Sequence, residues 1–260
     1  MKIQIYQVDA FTDHLFGGNP AAVCPLETWL SDVLMQQIAG ENNLAETAFF
    51  VRKNGDYHIR WFTPALEVDL CGHATLASAH VLYNHLGFTG KEIRFDSRSG
   101  WLTVKKEGGL LTLDFPADIF SVADPPALLI SSLGMEPLEV YKGKTDWMVL
   151  LENQQAVENI TPDLGMMSRV PGRGVIVTSR GEKADFVSRF FGPQSGVPED
   201  PVTGSAHTTL APFWGERLGK SSMEALQVSQ RRGQLHCTVK GDRVEISGEA
   251  RTFFTGEITL

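Results

Sequence analysis

A short stretch of this chain occurs twice, and it constrains the fold more than any other feature. The first copy reads Arg60-Trp61-Phe62-Thr63-Pro64, then Asp69-Leu70-Cys71-Gly72-His73-Ala74, and runs on to Leu86-Gly87. The second reads Arg189-Phe190-Phe191-Gly192-Pro193, then Glu199-Asp200-Pro201-Val202-Thr203-Gly204-Ser205-Ala206, and runs on to Leu218-Gly219. Arg60, Phe62 and Pro64 match Arg189, Phe191 and Pro193 at an offset of 129, and Gly72, Ala74, Leu86 and Gly87 match Gly204, Ala206, Leu218 and Gly219 at 132. Arg98, Gly100 and Leu102 find Arg231, Gly233 and Leu235 at 133. A period of half the chain is too long for a solenoid and implies two similar halves facing each other.

Each copy reads as strand, loop, helix. Ile59 to Phe62 and Phe186 to Phe191 are apolar and aromatic, as buried strands are, and Pro64 and Pro193 end them. Gly72-His73-Ala74 and Gly204-Ser205-Ala206 then open helices, whose first backbone N–H groups lack intrahelical partners and favour anions. Between 72 and 86 there is almost no polar face before Tyr83, so this helix is expected to be wrapped by sheet. The second, 204–218, repeats the pattern but contains Pro212, which should kink or interrupt it. Two such starts suggest one shared carboxylate-binding cleft; turn-forming glycines are the bland reading of either alone.

At 260 residues the chain can bury a large core and divide in two. Its formal charge of −8, with no long Lys/Arg cluster, argues against nucleic acid and against an anionic membrane. Cys24, Cys71 and Cys237 are odd in number and far apart, which is no disulfide framework. Met1-Lys2-Ile3-Gln4-Ile5 leads straight into an alternating strand with no secretory leader, so a reducing cytoplasm is expected. Periodicity breaks most completely at Pro116, Ala117, Asp118, Pro125 and Pro126. The expected halves are 1–116 and 127–260, joined by a linker at about 117–126, with the option that the last strand returns to the first half.

Several side chains are candidates for chemistry. Glu46 sits among Leu44, Ala45, Ala48, Phe49 and Phe50. It is either the exposed face of a half-buried strand or a carboxylate in a desolvated site, where its pKa would rise toward that of a general acid/base. His73, at a helix start, would be a neutral donor or proton shuttle, or a first-turn residue bonded to a loop. Asp200 is a turn-forming Asp-Pro or a carboxylate that assists proton movement. Ser205 takes the position of His73 in the second copy, either as a cap or as a donor to a substrate carboxylate. Cys71 has no cysteine counterpart in the second copy, which removes a symmetric two-thiol mechanism and favours a buried small residue. A metal site reads as absent: His73, His80 and His85 share one helix, but no carboxylate or cysteine set completes it. No phosphate loop, dinucleotide fingerprint or nucleophile elbow is present, and no cofactor is expected.

These residues carry a family resemblance. Gly-Asn-Pro-Ala-Ala-Val at 18–23, Asn-Leu-Ala-Glu-Thr-Ala-Phe at 43–49, Asp-Leu-Cys-Gly-His-Ala-Thr at 69–75, Glu-Asp-Pro-Val-Thr-Gly-Ser-Ala-His at 199–207 and Gln-Val-Ser-Gln-Arg-Arg-Gly at 227–233 resemble the phenazine-biosynthesis isomerase (PhzF-like) family. The resemblance implies an α+β, pseudo-symmetric, two-domain diaminopimelate-epimerase-like fold. Each half would be a barrel-like sheet around a central helix, near 72–86 and 204–218, with the active site between the halves. It implies a cofactor-independent isomerase in which Glu46 moves a proton between carbons of a small carboxylate metabolite. His73 and Asp200 would assist, and Gly72, His73, Gly204 and Ser205 would hold the substrate. Fold relatives that racemise with one cysteine per half differ, because the second motif here has none. A homodimer is expected from the same resemblance. The competing readings are a non-catalytic carboxylate-binding protein and a racemase centred on Cys71.

Overall fold

A computed structural model describes residues 1–260 and contains eighteen strands and six helices. The chain forms two compact units: Met1–Asp114 with Ser247–Leu260, and Phe115–Ile246.

In the first unit, β1 (Lys2–Ala10) lies between β18 (Ala250–Thr259) and β2 (Asn19–Leu26), antiparallel to both. β2 runs parallel to β3 (Glu46–Lys53), and β3 antiparallel to β4 (Asp56–Phe62). The turn between them carries Asn54 and Gly55 at φ 55° and 93°, the left-handed pair that a two-residue hairpin requires. β4 pairs antiparallel with the short β5 (Glu67–Val68) and parallel with β6 (Glu92–Ser97). β7 (Gly100–Glu107) and β8 (Leu110–Pro116) close the series, antiparallel.

The helix α2 (Gly72–Asn84) touches β1, β2, β3, β7 and β18, so strands surround it. Every residue from His73 to Ala79 is buried. Its hydroxyls turn inward on the helix itself: Thr75 Oγ1 donates to the Cys71 carbonyl and Ser78 Oγ to that of Ala74, at 2.6 and 2.7 Å. That satisfies both in apolar surroundings. The helix ends two residues before Leu86, where the His85 and Leu86 N–H groups both reach the Val81 carbonyl. On the other face of the sheet, α1 (Asp32–Asn42), capped by Ser31, packs Met35, Ile38 and Ala39 against Ile3, Ile5, Ala22, Phe49 and Phe62.

The second unit repeats this order of pairings. β10 (Glu139–Lys142) is antiparallel to β11 (Trp147–Leu150), β11 parallel to β12 (Val175–Arg180), and β12 antiparallel to β13 (Phe186–Gly192). β13 then pairs antiparallel with the short β14 (Val197–Asp200) and parallel with β15 (Ser222–Gln227). β15 is antiparallel to β16 (Gly233–Lys240). The sequence of senses is the same in both units, so the duplicated motif is the visible part of a duplicated topology.

Side chains repeat too. Arg60 holds Glu67 through two bonds of 2.7 Å and lies 5.2 Å from the Phe62 ring. Arg189 holds Glu199 at 2.7 and 2.9 Å and lies 4.8 Å from Phe191. Each bidentate pair ties the strand that precedes the glycine turn to the short strand that leads into it.

Two expectations change. The stretch at 117–126 is no free linker: Ser121–Val122 form β9, paired with β10, and the second unit begins at Phe115. Residues 247–260, for which a return to the first half was an option, lie in the first unit through the pairing of β18 with β1. Pro212 does not interrupt α6 (Gly204–Leu218). The carbonyl that a proline N–H would have served, that of Thr208, accepts instead from the Asp118 N–H at 3.1 Å. No helix is long and apolar enough to cross a membrane.

Candidate active site

The site residues of the first unit meet at the start of α2. β2 and β3 run side by side, with Ala21 opposite Glu46, which brings Asn19 and Glu46 to the same end of the sheet. Cys71 precedes the helix as its N-cap and makes no side-chain cap bond. The first intrahelical bond runs from the Thr75 N–H to the Cys71 carbonyl, which leaves the N–H groups of Gly72, His73 and Ala74 without intrahelical acceptors.

His73 is 5 % exposed. Asn19 Nδ2 donates to its Nδ1 at 3.2 Å, an arrangement that puts the ring proton on Nε2. Nε2 in turn lies 3.2 Å from Glu46 Oε2, and the Glu46 side chain is 16 % exposed. Cys71 Sγ stands 3.5 Å from Nδ1. Burial pushes the His73 pKa down to about 3, and the positive end of the helix dipole acts in the same direction. The imidazole is therefore a neutral donor at working pH. Glu46 lies on neither an exposed face nor in a sealed core, but at a strand start whose end opens beside a buried donor.

The structure corrects the reading of the histidines. His80 and His85 both turn to Thr252 Oγ1, at 2.9 and 2.8 Å, away from His73. A carboxylate and a thiol do join His73: one donor atom each from Glu46, Cys71 and His73 lie within 4.8 Å of one another.

In the second unit the same turn is built differently. Thr203 occupies the N-cap of α6, where Cys71 stands in α2, and it does not cap. Its Oγ1 donates instead to Asp200 Oδ2 at 2.6 Å. Gln227, fully buried, spans the turn. Its Oε1 accepts from the Thr203 N–H at 2.8 Å, and its Nε2 donates to the Asp200 carbonyl at 2.8 Å and to Thr203 Oγ1 at 3.1 Å. The Ser205 hydroxyl accepts from Arg173 Nη1 at 2.8 Å, and Arg173 is itself held by the buried Asp146. With a cationic donor on its oxygen, the Ser205 hydroxyl proton is directed elsewhere.

Sequence reasoning had no role for Asn19, Gln227, Asp146 or Arg173. Asn19 and Gln227 sit inside quoted motifs and were within reach. Arg173 lies in neither copy of the repeat, and no local pattern marks it.

A family model described as phenazine biosynthesis-like protein matches residues 8–256. The chain belongs to the phenazine biosynthesis-like family. It is 51 % identical over 260 residues to a Pseudomonas aeruginosa protein named an uncharacterized isomerase, with all of both chains covered. It is 44 % identical to one of the same description from Halalkalibacterium halodurans, again with full coverage. Among solved structures, a PhzF-family protein of Enterococcus faecalis superposes with a TM-score of 0.97 at 46 % identity, over the whole of both chains. A hydroxyproline epimerase of Agrobacterium vitis shares the fold, with a TM-score of 0.60 at 11 % identity over all of this chain and 93 % of that one. These relationships make this protein an isomerase. Its mixed, duplicated architecture is that of the diaminopimelate-epimerase-like group, as the motifs implied.

Proposed function

We propose that this isomerase moves a proton between carbons of a small carboxylate metabolite, with Glu46 as the acid/base. The observation that carries the reading is the 3.2 Å approach of Glu46 Oε2 to Nε2 of a buried, neutral His73. The approach is a close contact rather than an aligned hydrogen bond, and a neutral imidazole at that distance can relay a proton to or from the carboxylate without adding a charge of its own. Glu46 can then remove a proton from one carbon and return it to another, with no net change in the enzyme. The N–H groups of Gly72 and His73, which have no intrahelical acceptors, are assigned to negative charge on the substrate. In the second unit, Gly204 and Ser205 are assigned to the substrate carboxylate, and Asp200, aligned by Thr203 and Gln227, to assisting proton movement. The Agrobacterium vitis epimerase of the same fold was solved with trans-4-hydroxy-L-proline, a small carboxylate, which fits this substrate class.

The test is solvent deuterium. Wild type and Glu46→Gln are incubated in D₂O with amino acids, hydroxy acids and cyclohexadiene carboxylates, and the products are read by NMR. Deuterium should enter a carbon position with wild type and fall by about 10²–10⁴-fold in the variant, the usual reach of general acid–base catalysis. Exchange that survives Glu46→Gln overturns the assignment. A second reading draws on the 3.5 Å between Cys71 Sγ and His73 Nδ1. If Cys71 is the base, exchange is lost in Cys71→Ser and tolerates Glu46→Gln.

A further inference from the structure

Three ligand-type side chains converge at one point of the first unit, and proton transfer accounts for only two of them. Glu46, Cys71 and His73 each offer one donor atom, and these lie within 4.8 Å of one another. Tetrahedral bonds of about 2.0–2.3 Å set donor spacings near 3.5 Å, so a closure of about 1 Å brings the three onto one ion. Two edges are already short: 3.5 Å from Cys71 Sγ to His73 Nδ1, and 3.2 Å from Glu46 Oε2 to Nε2. They end on opposite ring nitrogens; an ion beside Cys71 engages the Nδ1 lone pair, displacing the Asn19 amide that now donates there, and the third donor moves in. Glu46 is the donor able to move. It is the first residue of β3, and its side chain is the most exposed of the three, whereas Cys71 and His73 are fixed by α2.

We propose that Glu46, Cys71 and His73 form a binding site for a thiophilic divalent cation of the zinc class. The donor set decides the class. Sulfur and imidazole favour zinc and its neighbours, whereas magnesium and calcium demand oxygen. A carboxylate, a thiolate and a neutral imidazole balance a 2+ charge, with a fourth position open. Binding displaces the Cys71 thiol proton to solvent and forms the metal–sulfur bond in its place, so affinity rises with pH. The positive end of α2 favours the thiolate but opposes the cation. That opposition suits reversible capture better than a permanent structural ion. The consequence, though not the binding, rests on the proton-transfer reading. A captured ion takes the carboxylate and the imidazole out of the reaction, so the loaded protein is inactive.

The experiment uses full-length, tag-free protein treated with chelator and titrated with Co²⁺, followed by absorption spectroscopy. Expected is a thiolate-to-cobalt charge-transfer band with tetrahedral d–d bands at one equivalent, bleached by Zn²⁺ and unmoved by Mg²⁺. Cys71→Ser should abolish the charge-transfer band. Glu46→Gln should keep it but weaken Co²⁺ binding by at least the roughly 10–100-fold that even outer-shell changes cost. Absence of the band in wild type, its persistence in Cys71→Ser, or unaltered affinity in Glu46→Gln each overturns the site. Should Cys71→Ser fail to fold, the Glu46→Gln affinity decides alone. Deuterium exchange in the chelator-treated protein reads proton transfer separately, so either idea can fail without the other.

Discussion

Ser205 shows how far a single hydroxyl depends on residues distant in sequence. Its oxygen accepts from Arg173, 32 residues away, and Arg173 reaches back 27 residues to Asp146. Asp146 is 4 % exposed, so its charge is tolerable only because the guanidinium meets it along two N–H directions. Arg173→Met strands that carboxylate. Breaking a buried pair costs about 3–5 kcal/mol, but Arg173 is 37 % exposed, so we expect about 1–3 kcal/mol in urea unfolding. Asp146→Asn combined with Arg173→Met should lose less than Arg173→Met alone, because no uncompensated charge remains. A double variant that loses the sum of the two single-variant losses would show that the pair is not coupled. None of this was legible in the sequence, since Asp146 and Arg173 carry no motif. His73 and Ser205 could be singled out because they stand beside duplicated glycines, and Glu46 because it is a carboxylate in an otherwise apolar run.

At the scale of the element, the two central helices illustrate what local pattern can and cannot tell. The apolar run from Ala74 to Leu82 was enough to place α2, because a helix with no polar face has to be covered on every side. Pro212 in α6 conflicted with its helical surroundings, and the resolution is tertiary. Asp118 sits where the sequence suggested a linker. Its N–H serves the Thr208 carbonyl, and its Oδ2 accepts from Thr209 Oγ1 at 2.8 Å. It therefore acts as an external piece of the helix's own hydrogen bonding. A proline in a helix interior ordinarily costs about 3 kcal/mol relative to alanine. With the freed carbonyl already satisfied, Pro212→Ala should gain less than about 1 kcal/mol. Asp118→Ala, which keeps the backbone N–H but removes acceptors for the Thr209 hydroxyl and the Lys144 and Ile119 N–H groups, should lose about 1–2 kcal/mol. A gain near 3 kcal/mol for Pro212→Ala in chemical denaturation would mean that Asp118 offsets nothing.

For the whole molecule, the duplication was legible, while the return of the last strand could be raised only as an option. Repeated motifs survive as identities, but the pairing of Ala250–Thr259 with Lys2–Ala10 joins residues at opposite ends of the sequence, where no local signal can specify a partner. Each unit also carries a histidine on its central helix with a strongly lowered pKa, the half-buried His80 in α2 and the buried His207 in α6. Burial pushes both pKa values down to about 4. His207 is fully enclosed, with Nδ1 donating to the Thr203 carbonyl at 2.9 Å and its ring centroid 5.9 Å from that of Phe186. The sign of the pH dependence follows. Between pH 4 and 6.5 the unfolded chain binds a proton at this histidine and the folded chain does not, so acid favours unfolding. The contribution is fully present above the unfolded pKa of 6.5 and is lost as pH falls toward 4. For His207 that loss amounts to about 3 kcal/mol. Urea unfolding at pH 8 and pH 4.5 should show stability falling across this window in wild type. His207→Gln, which keeps a donor for the Thr203 carbonyl but cannot protonate, should start lower and fall by less. A variant whose stability drops across the window as steeply as wild type would place the acid sensitivity elsewhere, with His73 and His80 the next groups to substitute.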